Sequence, residues 1–317
     1  MKALFLKDQL LLENIPVPVP QKDEALVKVN MAGICNTDLE LVKGYMGFQG
    51  VLGHEFVGVV ESSNDKEWTG KRVCGEINFG CGKCDICLKG LSRHCPERTV
   101  LGILNQNGAF AEYVLLPVDN LHVVSDAIPN EHAVFVEPVA AALEILEQIK
   151  IEPDHKVAVI GDGKLGLLIC QVLRLSGADI HLFGKHERKL NLATKWKIRT
   201  HFPEEPLVKM FDIVVEVSGS ASGFSAALNV LKPRGTMVLK STYHGNLEIN
   251  AAPIVIDEIS IVGSRCGPFA AAIRVLEKGL IDVQPLIDRV FPFGGILDAF
   301  EYAKLKPSLK VIVDFNA

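Results

Sequence analysis

Residues Lys156-Val157-Ala158-Val159-Ile160, followed at once by Gly161-Asp162-Gly163-Lys164-Leu165-Gly166, set the architecture of the second half of the chain. The first five suit a strand buried on both faces, and the apolar segment Leu165–Leu175 has the make-up of a helix. A glycine triplet at this spacing is weak alone, because any tight strand-to-helix turn can use glycine. Between a buried strand and a helix start, it stands in the context that dinucleotide binding requires. Gly161 permits the turn, Gly163 admits a pyrophosphate near the helix N-terminus, and Gly166 lets helix and sheet pack closely. Asp162 would sit beside those phosphates, so its carboxylate is expected to point away from them.

Working outward, strand-like runs recur at Ile180–Phe183, Asp212–Val217 and Thr236–Lys240, with helical stretches between them. This alternation predicts an α/β, doubly wound parallel sheet covered on both faces. The first third reads differently. Short β-rich runs (Ala25–Val29, Phe56–Val60, Tyr113–Leu116) are separated by proline and glycine, which predicts a mainly β domain with inserted loops. Glu131 to Ile149 should be helical. After about Gly263 the chain is expected to return to the first domain, ending in the strand-like Lys310–Phe315. The expected division is 1–130 for a β-rich catalytic domain with a lobe at 80–96, 131–265 for a cofactor domain, and 266–317 for the return.

Composition narrows the function classes. Hydrophobic residues make up 48% and charged residues 22% of the chain, as in ordinary globular proteins. The net charge of −5 gives no basic footprint for nucleic acid. No apolar run has bilayer length, and the opening Met1-Lys2-Ala3-Leu4-Phe5 lacks the layout of a signal peptide, so a cytoplasmic protein without a membrane partner is expected. Of the eight cysteines, four, Cys81, Cys84, Cys87 and Cys95, cluster in a polar, glycine-rich stretch. Such a loop offers no core for buried thiols, and four thiolates close a tetrahedral zinc site with no open position. That predicts a structural zinc.

A second set of candidate ligands is scattered: Cys35 in Gly33-Ile34-Cys35-Asn36-Thr37-Asp38, His54 in Gly53-His54-Glu55-Phe56-Val57-Gly58, and Glu137 in Val136-Glu137-Pro138-Val139. Singly they read equally as a core cysteine, a turn histidine and a helix-start carboxylate. Together the three segments closely resemble the zinc-containing alcohol dehydrogenase family, in its polyol and threonine dehydrogenase branch. The resemblance covers essentially the whole chain and implies a GroES-like β domain carrying both zinc ions beside a Rossmann domain. It implies Cys35, His54 and Glu137 as ligands of a catalytic zinc; independently of it, Asp38 is a candidate partner for the free ring nitrogen of His54. Three protein ligands leave a fourth position for a substrate oxygen. It also implies that Glu55 approaches the metal, although a turn carboxylate fits that residue equally. Thr37 would receive the alcohol proton. Glu40 stands where the family often has a histidine completing the relay, and it reads equally as a solvated helix charge.

The choice of nicotinamide cofactor rests on the end of the second parallel strand. NAD-binding versions carry an acid there for the adenosine ribose, whereas this chain has Gly184 followed by Lys185, His186 and Arg188. A missing carboxylate beside cations favours NADP(H) over NAD(H). Asp212–Gly219 resembles the family's fourth cofactor-domain strand and its glycine turn, which implies that Ser218 and Gly219 lie near the nicotinamide half. Arg265, in Ser264-Arg265-Cys266, resembles a substrate-side arginine of the polyol branch and reads equally as a structural ion-pair member. The expected reaction is hydride transfer between a small alcohol or carbonyl substrate and the cofactor in a cleft between the domains, by a homodimer or homotetramer. Rival readings are a metal-free quinone or enoyl reductase on the same fold and a dinucleotide-sensing binding protein without turnover.

Overall fold

The computed structural model describes residues 1–317 except 204, 206, 207, 243–245, 306 and 307. The chain divides into two compact units, one of Met1–Glu137 with Phe269–Ala317 and one of Pro138–Pro268.

The first unit is built on a seven-stranded sheet. Its long strand Glu24–Ile34 is flanked antiparallel by Glu55–Ser63 on one side and by the C-terminal strand Lys310–Asp314 on the other. In this register Gly33 stands opposite both Glu55 and Ile312, so residues from both ends of the chain meet at one level of the sheet. Val27, Val29, Ala32, Ile34, Val57, Val311, Ile312 and Val313 are buried, which anchors that register in the core.

The second unit is a six-stranded, all-parallel sheet. The strands run Arg199–His201, Asp179–Phe183, Lys156–Ile160, Phe211–Glu216, Leu231–Leu239 and Ser260–Gly263 across the sheet. The order reverses between Lys156–Ile160 and Phe211–Glu216, the switch point where open α/β sheets receive ligands. Val157, Ala158 and Val159 are fully buried, and the helix Lys164–Arg174 buries Gly166 through Leu173 without interruption. Among the described residues, no helix is long and apolar enough to cross a membrane.

One helix expected as continuous is divided. Asn130–Ala133 and Val136–Gln148 are separate helices joined by a turn at Val134 and Phe135. Pro138 explains the break, because its ring excludes the carbonyl of residue 134 from a continuous helix and is tolerated in a first turn.

Candidate functional site

Within the first unit, the sulfurs of Cys81, Cys84, Cys87 and Cys95 all lie within 4.8 Å of one another. Local backbone structure gathers them. Cys84 caps the short helix Asp85–Leu88, its sulfur accepting the Cys87 N–H at 3.5 Å, and the Cys81 N–H donates to the Cys95 sulfur at 3.4 Å. That backbone N–H bond helps hold the Cys95 thiol down to about 7, while burial pushes Cys87 up to about 12. Four sulfur donors this close fit one tetrahedral cation.

The second cluster joins the two loops singled out by sequence. Ligand atoms of Cys35, His54 and Glu55 lie within 4.8 Å of one another. Asp38, fully buried, ties the loops together. One of its oxygens accepts the Cys35 N–H at 2.8 Å; the other accepts the Gly53 N–H at 3.3 Å and faces His54 Nδ1 at 3.4 Å. Burial disfavours a charged His54, but Asp38 and then Cys35 raise it well above its usual value. With Nδ1 turned to Asp38, Nε2 is the ring nitrogen left for a metal. Thiolate, imidazole and carboxylate form a donor set that suits zinc.

The cluster's own carboxylate and a second one beside it differ in their partners. Glu55 is ion-paired with Lys310, and both are buried. Glu137 lies beside the trio without joining the group whose donor atoms fall within 4.8 Å of one another. Burial pushes its carboxyl up to about 7, with His54 and Lys310 opposing and Glu55 and Glu76 adding to the rise. The Thr37 hydroxyl oxygen lies 3.8 Å from the Cys35 sulfur. Glu40, on the helix Asn36–Val42 that also carries Thr37, is ion-paired at 2.8 Å with Lys43, the residue that ends this helix.

The sequence places Lys310 only at the start of the C-terminal strand and gives it no role in the site. Its available signal was a lysine opening the otherwise apolar Val311-Ile312-Val313. Gly33 makes room for it. A Cβ at Gly33 would lie 2.6 Å from Glu55 Oε2 and 3.2 Å from Lys310 Cδ, so the ion pair crosses the space a side chain would fill.

In the second unit, Gly161 has φ +126° and packs against the turn after Glu216: a Cβ there would lie 2.9 Å from Ser218 N. A Cβ at Gly166 would lie 2.0 Å from the Gly161 carbonyl oxygen, so close packing demands this glycine. Gly163 is different. A Cβ there would meet nothing within 4 Å, leaving an open cradle that fits a dinucleotide at the helix N-terminus. Ser218 donates through its N–H (2.8 Å) and hydroxyl (2.5 Å) to buried Glu216, and the Gly219 N–H donates to Ser241 Oγ at 2.8 Å. The Asp162 carboxylate turns toward residues 184–186 and accepts the N–H groups of Lys185 and His186, each at 2.7 Å. Lys185 and Arg188 are exposed. Arg265 is exposed too, and its carbonyl accepts from Lys240 Nζ at 2.7 Å.

Known proteins resemble this chain along nearly its whole length. Residues 21–126 match the alcohol dehydrogenase GroES-like domain family, and residues 165–278 match the zinc-binding dehydrogenase family. D-arabitol-phosphate dehydrogenase of Enterococcus avium is 29% identical over 98% of this chain and 95% of its own length. Sorbitol dehydrogenase of Bacillus subtilis is 27% identical over 96% of this chain and 93% of its own. Among solved structures, a short chain alcohol dehydrogenase of Escherichia coli CFT073 complexed with NADH superposes with TM-score 0.92 at 26% identity, covering 99% of each chain. A zinc-binding dehydrogenase of Sinorhizobium meliloti 1021 bound to NADP superposes with TM-score 0.90 at 28% identity, covering 99% of this chain and 98% of its own. By its paired GroES-like and Rossmann units and by these matches, the chain belongs to the zinc-type medium-chain dehydrogenase/reductase family, in its polyol-dehydrogenase-like branch.

Proposed function

We propose that this chain is a zinc-dependent oxidoreductase that transfers a hydride between the carbinol carbon of a polyol-class alcohol, or the matching carbonyl, and NADP(H) in preference to NAD(H). The observation that carries the reading is the convergence of half-buried Cys35 and buried His54 with the carboxylates Glu55 and Glu137, in a chain that also holds a glycine-lined dinucleotide cradle. The polyol class is supported by the arabitol-phosphate and sorbitol dehydrogenases among the relatives.

Cys35, His54 and Glu137 are the proposed ligands of a catalytic zinc, and Cys81, Cys84, Cys87 and Cys95 those of a structural one. Glu137 is preferred to Glu55 because Glu55 already has Lys310 as counterion, whereas Glu137 is a buried carboxyl that a dication would ionise. When bound, the catalytic zinc supplies the Lewis acidity that lowers the pKa of the substrate hydroxyl. Asp38 orients His54 for that role. The Thr37 hydroxyl, beside Cys35, takes the alcohol proton; Glu40, engaged with Lys43, is an outer acceptor on the same helix. Gly161, Gly163 and Gly166 seat the pyrophosphate, and Ser218 and Gly219 border the nicotinamide half. Lys185, His186 and Arg188, with no acid at Gly184, favour a 2′-phosphate. Arg265 offers a donor for a substrate hydroxyl.

A homodimer is the proposed assembly, with a homotetramer as the alternative. Among the described residues the edge strand Ser260–Gly263 pairs only with Leu231–Leu239, and Ile261 on it and Val255 and Ile256 in the preceding helix Ala252–Ile256 are exposed.

Zinc content measured together with turnover tests the reading. The expectation is two zinc ions per chain and hydride transfer with polyols, faster with NADP than with NAD. Zinc-loaded protein that binds dinucleotide but is inert across alcohol and carbonyl panels would leave a binding protein in place of an enzyme.

A further inference from the structure

The most informative arrangement outside the metal centre is the one between Asp162 and Gly184. A Cβ built on Gly184 would lie 2.5 Å from Asp162 Cβ and 2.6 Å from Asp162 Oδ2. Positions 162 and 184 therefore share a single space, and only one of them can carry a side chain there. The position at the end of the second strand, where NAD-binding chains present an acid to the adenosine ribose, is filled by a carboxylate reaching over from the glycine loop.

That carboxylate is firmly seated. Oδ2 accepts both N–H groups that lead into the helix Glu187–Lys195, and His186 Nδ1 lies 3.0 Å from Oδ2 and 3.1 Å from Oδ1. These donors, at a helix start, are the ones an incoming 2′-phosphate would use. A phosphate arriving there meets a fixed negative charge and occupied donors, whereas a ribose hydroxyl meets an acceptor. Lys185 and Arg188 act in the opposite sense.

We infer that Asp162 is the cofactor-selecting residue of this chain: its carboxylate stands in for the acid missing at position 184, holds the backbone donors against a 2′-phosphate, and narrows the preference for NADP(H). The inference rests on the nicotinamide-cofactor reading, but it holds whichever dinucleotide the wild-type protein binds more tightly.

Dissociation constants for NADPH, NADH, 2′,5′-ADP and 5′-AMP, measured by titration calorimetry, test it without turnover. In Asp162→Asn, which keeps an acceptor for the turn, and in Asp162→Ala, the NADPH-to-NADH affinity ratio is expected to rise about tenfold, with 2′,5′-ADP gaining in parallel over 5′-AMP. Gly184→Asp in the wild-type background is expected to weaken both dinucleotides, because two carboxylates cannot share the space. The same change combined with Asp162→Ala is expected to restore NADH binding and not NADPH binding. An affinity ratio unchanged or lowered in both Asp162 variants overturns the inference, as does a Gly184→Asp protein that binds NADH equally well with and without Asp162. Wild-type protein that binds NADH better than NADPH overturns the NADP preference alone. Failure to bind either dinucleotide overturns the cofactor reading and this inference together.

Discussion

Glu55 and Lys310, 255 residues apart in sequence, form an ion pair in which each side chain is 1% exposed. Two pairings make it, because Glu24–Ile34 holds the strand of Glu55 on one side and the strand of Lys310 on the other. The Lys310 ammonium also stands 5.7 Å from the Phe135 ring centroid. Burial would lower the lysine's pKa, yet Glu55 and then Cys35 raise it, so Lys310 stays charged inside the core. The candidate metal centre thus carries a fixed positive charge of its own.

Removing that charge alone is expected to be costly. Lys310→Met leaves Glu55 buried without its counterion, a change worth about 3–5 kcal/mol and a fall in Tm on the order of 10 °C. Lys310→Met combined with Glu55→Gln should regain most of the loss. Thermal unfolding of the four proteins of this cycle measures the coupling, and a double-variant loss equal to the sum of the two single losses would show that the pair contributes no such coupling.

The roles proposed for the two carboxylates separate in metal content. Glu137→Gln should lose the catalytic zinc while keeping the structural one, and Glu55→Gln should retain both. Asp38→Asn, which disturbs the support of His54, should weaken the catalytic zinc about 10–100-fold. Metal analysis after dialysis against a graded chelator checks all three. Glu137→Gln protein that keeps two zinc ions would pass the ligand role to Glu55.

Much of this was legible in sequence because it depends on local pattern. Lys156–Ile160 is predicted and found as a strand because an apolar run buried on both faces has few alternatives. Cys81, Cys84, Cys87 and Cys95 converge because a short loop with glycines at 80, 82 and 90 brings them together. What stayed hidden depends on register and on space. Lys310 reaches Glu55 only through the stacking of three strands, which no local pattern encodes. Asp162 occupies a position that the glycine signature leaves free to any residue, so its hold on residues 185 and 186 emerges only from the fold. Glu40 illustrates a third case: the sequence offers it as a relay or as a solvated charge, and the structure gives it Lys43 as a partner.

The cysteine lobe should be separable from the other metal centre. Cys95→Ser replaces the fully buried member of the cluster, so it should release the structural zinc and expose 80–96 to proteolysis. The second zinc should stay, because Cys35 directly follows the strand Glu24–Ile34 and His54 directly precedes the strand Glu55–Ser63, both outside the lobe. Metal analysis before and after limited trypsin treatment checks this. Loss of both ions in step would show that the lobe supports the whole unit.

The second unit carries its own acid sensitivity in a chain of polar side chains beside its sheet. His181 Nδ1 is 2.8 Å from His201 Nε2, His201 Nδ1 is 2.8 Å from Glu205 Oε2, and His181 Nε2 is 3.2 Å from Asp179 Oδ2. Phe211 packs edge-on against His181, and Arg199 reaches the same Asp179. Burial holds His181 below its ordinary value of 6.5, with His201 and Arg199 acting in the same sense and Asp179 opposing. The unfolded chain therefore takes up a proton near pH 6.5 that the folded chain refuses, and the unfolded state gains as pH falls. The stability contributed by neutral His181 is complete above about pH 6.5 and declines as pH drops toward its folded value. Urea unfolding midpoints between about pH 5 and pH 8 should fall on the acid side in the wild-type protein. In His181→Gln, which cannot titrate, that fall should be smaller, and a difference between the two proteins that does not change with pH would remove His181 as its source.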